Sequence, residues 1–134
     1  MSVGIIIVSH SARLAEGVVE LASQMAPAEI DIIAAGGTND GTIGTSIEKV
    51  SQALKKANGP DGALILLDLG SAVMITEMAM ESLTPEERQR VVISQAPLVE
   101  GAILAAVEAA SGSTLQEVVE AAASGRDMPK GDNN

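Results

Sequence analysis

VGIIIVSHSARLAEGVVELASQM, residues 3–25, sets a run of branched aliphatics against a histidine between two serines, and then a stretch of helical period. Val3 to Val8 show no alternation with polar residues. A strand that is apolar on both faces has to be covered on both, which is the condition of a parallel sheet between helices. Beyond Ser11, Leu14, Val18, Leu21 and Met25 recur at helical spacing, with Arg13, Glu16 and Glu20 around the other side. The spacing predicts a helix whose apolar face is formed by those four residues.

The same alternation runs on through the chain. Ile30 to Ala35, Ala63 to Leu67 and Val91 to Ile93 read as three more buried strands. Between and after them, helical period links Ile47, Val50 and Leu54, then Ile75 and Met78 in a helix from Ser71 to about Leu83, then Val99, Ile103 and Val107 after Pro97. Thr84-Pro85-Glu86-Glu87 carries a start signal with proline at the first helical position and predicts a short turn. Ser113-Thr114-Leu115-Gln116 has the form of a capping box opening a last helix to about Ala123, with Leu115, Val118 and Val119 inward. Strand and helix alternating in this way predict an α/β fold: an open, mainly parallel sheet of at least four strands with helices on both faces. Residues 1–124 read as one domain. Residues 125–134 are polar, contain Gly and Pro and have no period, so they read as a flexible tail or the start of a linker.

Composition narrows the functional classes. The 134 residues include no Phe, Trp or Tyr although 46% are hydrophobic, so the core has to be built from Ile, Val, Leu, Ala and Met. A formal net charge of -10 with eight Lys and Arg argues against a nucleic-acid surface. The absence of cysteine removes disulfides, thiol chemistry and thiolate metal sites. The first apolar run is six residues long and has no basic region before it, which predicts no signal peptide and a cytoplasmic protein. No run approaches the roughly 20 residues of a membrane span.

In open α/β sheets, ligands bind at the carboxyl ends of the strands. That rule selects Ser9-His10-Ser11, Gly36 to Gly44, Asp68-Leu69-Gly70-Ser71 and Ser94 to Pro97. His10, the only histidine, stands between a strand and a helix N-terminus, where an anion is favoured and a neutral imidazole nitrogen can act as nucleophile. The alternative is a polar strand-end residue or cap beside Ser9 and Ser11. A single histidine without cysteine makes a metal site improbable. Asp68 ends the third strand, where its carboxylate can fix the tautomer of an active histidine, cap the next helix, or do both. The stretch GGTNDGTIGTS, residues 36–46, can wrap a phosphoryl group with backbone donors or serve as an ordinary turn; it matches neither common nucleotide-loop pattern. Gly70-Ser71, Pro97 and Gly101 complete the rim.

Four blocks in order, VSHSARLAEGVVELASQMA, AAGGTNDGTIGTS, LILLDLGSAVMITEMAME and SQAPLVEGAILAAVEAA, carry a resemblance. Together they resemble the phosphotransfer subunits of phosphoenolpyruvate-dependent dihydroxyacetone (glycerone) kinases, the DhaM family. That domain is similar to the mannose-type IIA domain of the sugar phosphotransferase system, of flavodoxin-like topology. The resemblance implies that His10 accepts a phosphoryl group from the phosphohistidine carrier HPr and donates it to ADP on the kinase subunit DhaL, which works with DhaK. It implies that Asp68 orients the imidazole, with Nε2 modified and Nδ1 facing the carboxylate. Ser11, the Gly37-Thr38 turn and the Gly70-Ser71 turn would line the phosphoryl site. It further implies a homodimer that holds no permanent cofactor beyond the transient phosphoryl group. Some members continue into carrier and Enzyme I-like domains, so the chain reads either as a single-domain subunit or as one domain of a longer protein. Two other readings stay open: the IIA domain of a mannose-type sugar transporter, whose acceptor is a IIB histidine, and a binding module that holds an anion without transferring anything.

Overall fold

The computed structural model describes residues 2–131. Four parallel strands, β1 (Gly4–Ser9), β2 (Ile32–Gly36), β3 (Ala63–Leu67) and β4 (Val91–Ile93), stand in the order β2-β1-β3-β4. The expected α/β architecture is therefore present. In register, Ile6 of β1 lies beside Ile33 of β2 and Ile65 of β3. Six helices connect and cover them: α1 (Ala12–Ser23), α2 (Ile47–Ala57), α3 (Ala72–Met80), α4 (Pro85–Gln89), α5 (Leu98–Ala110) and α6 (Leu115–Ala123).

The central strands are apolar at every position but Ser9, the last of β1, because each face has its own core. Ile5, Ile7, Leu64 and Leu66 meet α1, α5 and α6 on one side. Ile6, Val8, Ala63 and Ile65 meet α2 and α3 on the other. Without aromatic rings the helices have to lie close to the sheet, and their inward positions are mostly alanine. On α5, Gly101 comes so near β3 that a Cβ built on it would sit 2.8 Å from Leu66 and from Ala96.

This close approach changes which face of α1 is inside. Ala15, Val18 and Ala22 are buried, whereas Leu14, Leu21 and Met25 are exposed on the flank. Of the face expected from the spacing, only Val18 lies in the core. Small residues let the helix settle on its alanine side, and the larger side chains turn outward. Other elements differ at their ends. The third helix stops at Met80, and the amides of Glu81 and Leu83 close a turn onto Met78 and Met80. The cap of α6 is one residue later than expected, with Thr114 and Glu117 making the reciprocal bonds. Thr84 and Glu87 make the same box at the five-residue α4.

The stretch expected as a tail from Gly125 begins as ordered structure. Ser124–Asp127 form a 3-10 turn, Gly125 is buried against Glu100 and Gly101, and Lys130 Nζ reaches Glu100 Oε2 at 2.6 Å. A glycine with no Cβ is what allows that contact. Residues 132–134 of the expected tail lie outside the described residues. Among the described residues, no helix is long and apolar enough to cross a membrane.

One buried group carries an avoidable cost. Thr76 on α3 has no solvent exposure and its hydroxyl has no partner. Thr76→Val keeps the shape and removes the unpaired group, so it is expected to stabilise the protein by about 1 kcal/mol. A urea midpoint equal to or below wild type would contradict this.

Candidate active site

β1 and β3 are neighbours whose onward connections diverge, α1 leading to β2 and α3 to β4. A crevice opens at the carboxyl ends of such a pair. His10 follows β1 and Asp68 follows β3, so strand pairing brings together two residues far apart in sequence. His10 Nδ1 lies 3.1 Å from Asp68 Oδ1 and 3.3 Å from Oδ2. A carboxylate can only accept, so Nδ1 carries the hydrogen, and in the neutral ring Nε2 keeps its lone pair. The Ser71 hydroxyl, 3.0 Å away, donates to Nε2. The imidazole is thus held at both nitrogens, and its side chain remains 25% exposed.

Asp68 is held more firmly still. Its Oδ2 accepts from the Ser9 hydroxyl and the His10 backbone N–H, each at 2.9 Å, and its Oδ1 accepts from the Leu69 N–H at 2.7 Å. Burial raises the carboxyl pKa, but the bonds from the His10 amide, the Ser9 hydroxyl and the imidazole outweigh it, leaving the group below its ordinary value. A lowered folded-state pKa contributes stability above the unfolded value, and that contribution is lost as pH falls through the lowered one. The loss is expected below about pH 4. Unfolding free energy measured from pH 5 downward should fall more steeply in wild type than in Asp68→Asn; parallel curves would refute the assignment.

Ser9 lies in a loop that the sequence singled out, but it was given no role at the site. It is fully buried, donates to Asp68 and accepts from the Ser11 N–H at 3.0 Å. Its only sequence signal was a hydroxyl at the end of an otherwise apolar strand. Ser11 caps α1, its hydroxyl accepting from the Leu14 N–H at 3.2 Å.

The glycine-rich loop is tied mainly to itself. Gly37 N–H donates to Ser9 O and Thr38 N–H to Thr42 O, while the Thr38 and Thr42 hydroxyls both bond Asp40. Those bonds hold the Asp40 carboxyl below its ordinary range. Gly37 has φ +74, and a Cβ there would meet Ala12 at 3.2 Å. It therefore seats the loop against the start of α1. The cradle role expected of Gly37 and Thr38 finds no free donor in their amides. The loop reaches the histidine through its backbone, Gly44 N–H donating to His10 O at 2.8 Å. On the far side, one groove runs from Asp68 and Gly70 past Val73 to Ile93, Ser94 and Ala96. Pro97 occupies the position just before α5.

Residues 4–120 match the family model EIIA-man, described as the PTS system fructose IIA component. The chain belongs to the EIIA-man family. Among relatives of this EIIA-man chain, the phosphoryl donor subunit DhaM of the PEP-dependent dihydroxyacetone kinase of Escherichia coli (strain K12) is 44% identical over 120 residues, 87% of this chain. The chain spans only 25% of that protein's length. The phosphotransferase subunit DhaM of the PTS-dependent dihydroxyacetone kinase of Lactococcus lactis subsp. lactis (strain IL1403) is 38% identical, with 90% of this chain and 93% of that protein covered. A solved protein of unknown function, EF1359, is 35% identical, with a TM-score of 0.81 over 92% of this chain and 94% of its own. The resemblance to DhaM phosphoryl donor subunits thus holds over most of the chain.

Proposed function

We propose that this EIIA-man domain is a phosphohistidine relay in a dihydroxyacetone kinase, with His10 Nε2 as the carrier atom. The reading rests on one arrangement: an imidazole whose Nδ1–H is anchored on a carboxylate and whose Nε2 meets only the rotatable hydroxyl of Ser71. The matching DhaM subunits, one named as a phosphoryl donor subunit and the other as a phosphotransferase subunit, support it.

Transfer proceeds by displacement. The Nε2 lone pair attacks the phosphorus of a donor phosphohistidine, the donor's P–N bond breaks, and the donor ring recovers the electron pair. As Nε2 takes phosphorus the ring becomes cationic, and Asp68 offsets that charge through Nδ1–H. Ser71 has to turn from Nε2 toward a phosphoryl oxygen, beside the amides at the start of α3, with which Gly70 is continuous. In the second half, a terminal phosphate oxygen of ADP attacks and the P–Nε2 bond breaks. Each half-reaction leaves Nδ1–H in place.

The donor in this reading is phospho-HPr, and the acceptor is ADP held on DhaL, which phosphorylates dihydroxyacetone bound to DhaK. The domain works as a cytoplasmic homodimer, and its only adduct is the phosphoryl group. Phosphoenolpyruvate, Enzyme I and HPr should yield an acid-labile phosphoprotein that converts DhaL-bound ADP to ATP. The family description as a IIA component favours a second reading, transfer to a IIB histidine. Label passing to a IIB domain and not to DhaL-bound ADP would select it.

A further inference from the structure

Ser9 has no solvent exposure, and its hydroxyl is engaged on both sides. The Ser11 N–H donates to Ser9 Oγ at 3.0 Å, so the one hydroxyl hydrogen points away from it, to Asp68 Oδ2 at 2.9 Å. Ser94 makes the matching turn after β4, its Oγ accepting from the Ala96 N–H at 3.0 Å. Such a turn uses only the acceptor side of a serine. The donor side of Ser9 is surplus to the turn, and it is aimed at the carboxylate that holds the imidazole.

Asp68 receives two donors on each oxygen. Oδ2 takes the Ser9 hydroxyl and the His10 N–H, while Oδ1 takes the Leu69 N–H and His10 Nδ1–H. Two of these are backbone amides that no side-chain change removes, and one is the ring itself. Ser9 is therefore the one donor through which the sequence can adjust the carboxylate. Each donor draws charge from a carboxylate and weakens it as a base.

That strength decides how readily the phosphoryl group departs. With the hydrogen on Nδ1, breaking the P–Nε2 bond returns the electron pair to a ring that leaves as neutral imidazole. Were the hydrogen passed to Asp68, the ring would have to leave as an imidazolate anion, a far poorer leaving group. A more basic carboxylate would also stabilise the cationic, phosphorylated ring more strongly and so deepen the ground state from which transfer starts.

Resting on the relay reading above, we propose that Ser9 is a positioning residue of the relay: by donating to Asp68 Oδ2 it keeps the hydrogen on Nδ1 of the phosphorylated ring and the phosphoryl group ready to leave. Asp68 supports the charge on the ring, and Ser9 limits how far that support goes. The hydroxyl acts through Asp68.

The test follows wild type, Ser9→Ala and Ser9→Cys, with melting curves to establish folding. Cysteine replaces the hydroxyl with a weak S–H donor, so its values should fall between the other two. Loss of the phosphoryl group from the isolated phosphoprotein to water is expected to be about fivefold slower in Ser9→Ala, and the phosphoryl equilibrium with HPr to shift about fivefold toward this domain. Nitrogen NMR of the phosphorylated ring should show the Nδ1–H coupling weaken as the hydrogen moves toward Asp68. A merely structural Ser9 would lower the melting temperature and slow gain and loss of the group alike, with the equilibrium and the coupling unchanged. That result, or faster loss from Ser9→Ala, would overturn the proposal while leaving the relay standing. Should Ser9→Ala not fold, wild-type loss and equilibrium in folded Ser9→Cys overturn it equally. If wild-type His10 takes no label from phospho-HPr, the relay reading falls and the role of Ser9 with it.

Discussion

Replacing His10 with alanine is expected to abolish phosphoryl transfer, lowering the rate to background. No other imidazole exists in the chain and there is no thiol to substitute for it. Hydroxyls are close, Ser71 among them, but a serine needs a base to remove its proton, and the imidazole that contacts Ser71 is the one removed. The effect therefore exceeds the 10²–10⁴-fold typical of losing a general base. Labelling from phosphoenolpyruvate through Enzyme I and HPr measures it directly. Incorporation into His10→Ala at even a hundredth of the wild-type rate would place the carrier elsewhere. The fold should survive, because the backbone N–H that bonds Asp68 is retained and the imidazole is part-exposed.

Asp68→Asn should come next in size, with a different signature. The carboxylate presently receives bonds from the Ser9 hydroxyl, the His10 N–H, the Leu69 N–H and His10 Nδ1. An amide has one oxygen and one NH₂, so at least one of those donors meets another donor. If the NH₂ faces the ring, Nδ1 becomes the acceptor, the hydrogen moves to Nε2, and the nucleophile loses its lone pair. Removing such an orienting carboxylate costs about 10²–10⁴ in rate in comparable dyads. Because either the Leu69 amide, or the His10 amide together with the buried Ser9 hydroxyl, then meets an NH₂ in place of an oxygen, roughly 2–4 kcal/mol of stability should go with it. Nitrogen NMR of the imidazole separates the two effects. A purely structural role for Asp68 would lower stability without moving the tautomer, and that result would remove it from the mechanism.

Much of this was legible locally. A strand buried on both faces has to be apolar throughout, so Val3–Val8 and Ala63–Leu67 announced a covered parallel sheet, and the residues after them were necessarily at its ligand-binding edge. Helix faces were harder to read. On α1 there are more apolar residues than the core can cover, and the surplus, Leu14 included, stays outside. Periodicity cannot distinguish a side chain in the core from one on an apolar flank. The glycine loop was open to two readings, since a run of Gly, Thr and Asp looks equally suited to ligand binding and to its own closure by Asp40.

By itself the sequence determined the order of strands and helices, the covered sheet, and a lone histidine and an aspartate each at the end of a strand. Those follow from periods and end signals spanning a few residues. Only the tertiary structure decided that β1 lies beside β3, so that His10 meets Asp68 across 58 positions and Ser9 completes the carboxylate's bonds. It also decided that Ser71 reaches Nε2 and that Leu14, Leu21 and Met25 stay outside the core. Hydrogen bonding between distant residues depends on which strands pair, and pairing is settled by packing two cores at once. No local pattern records it.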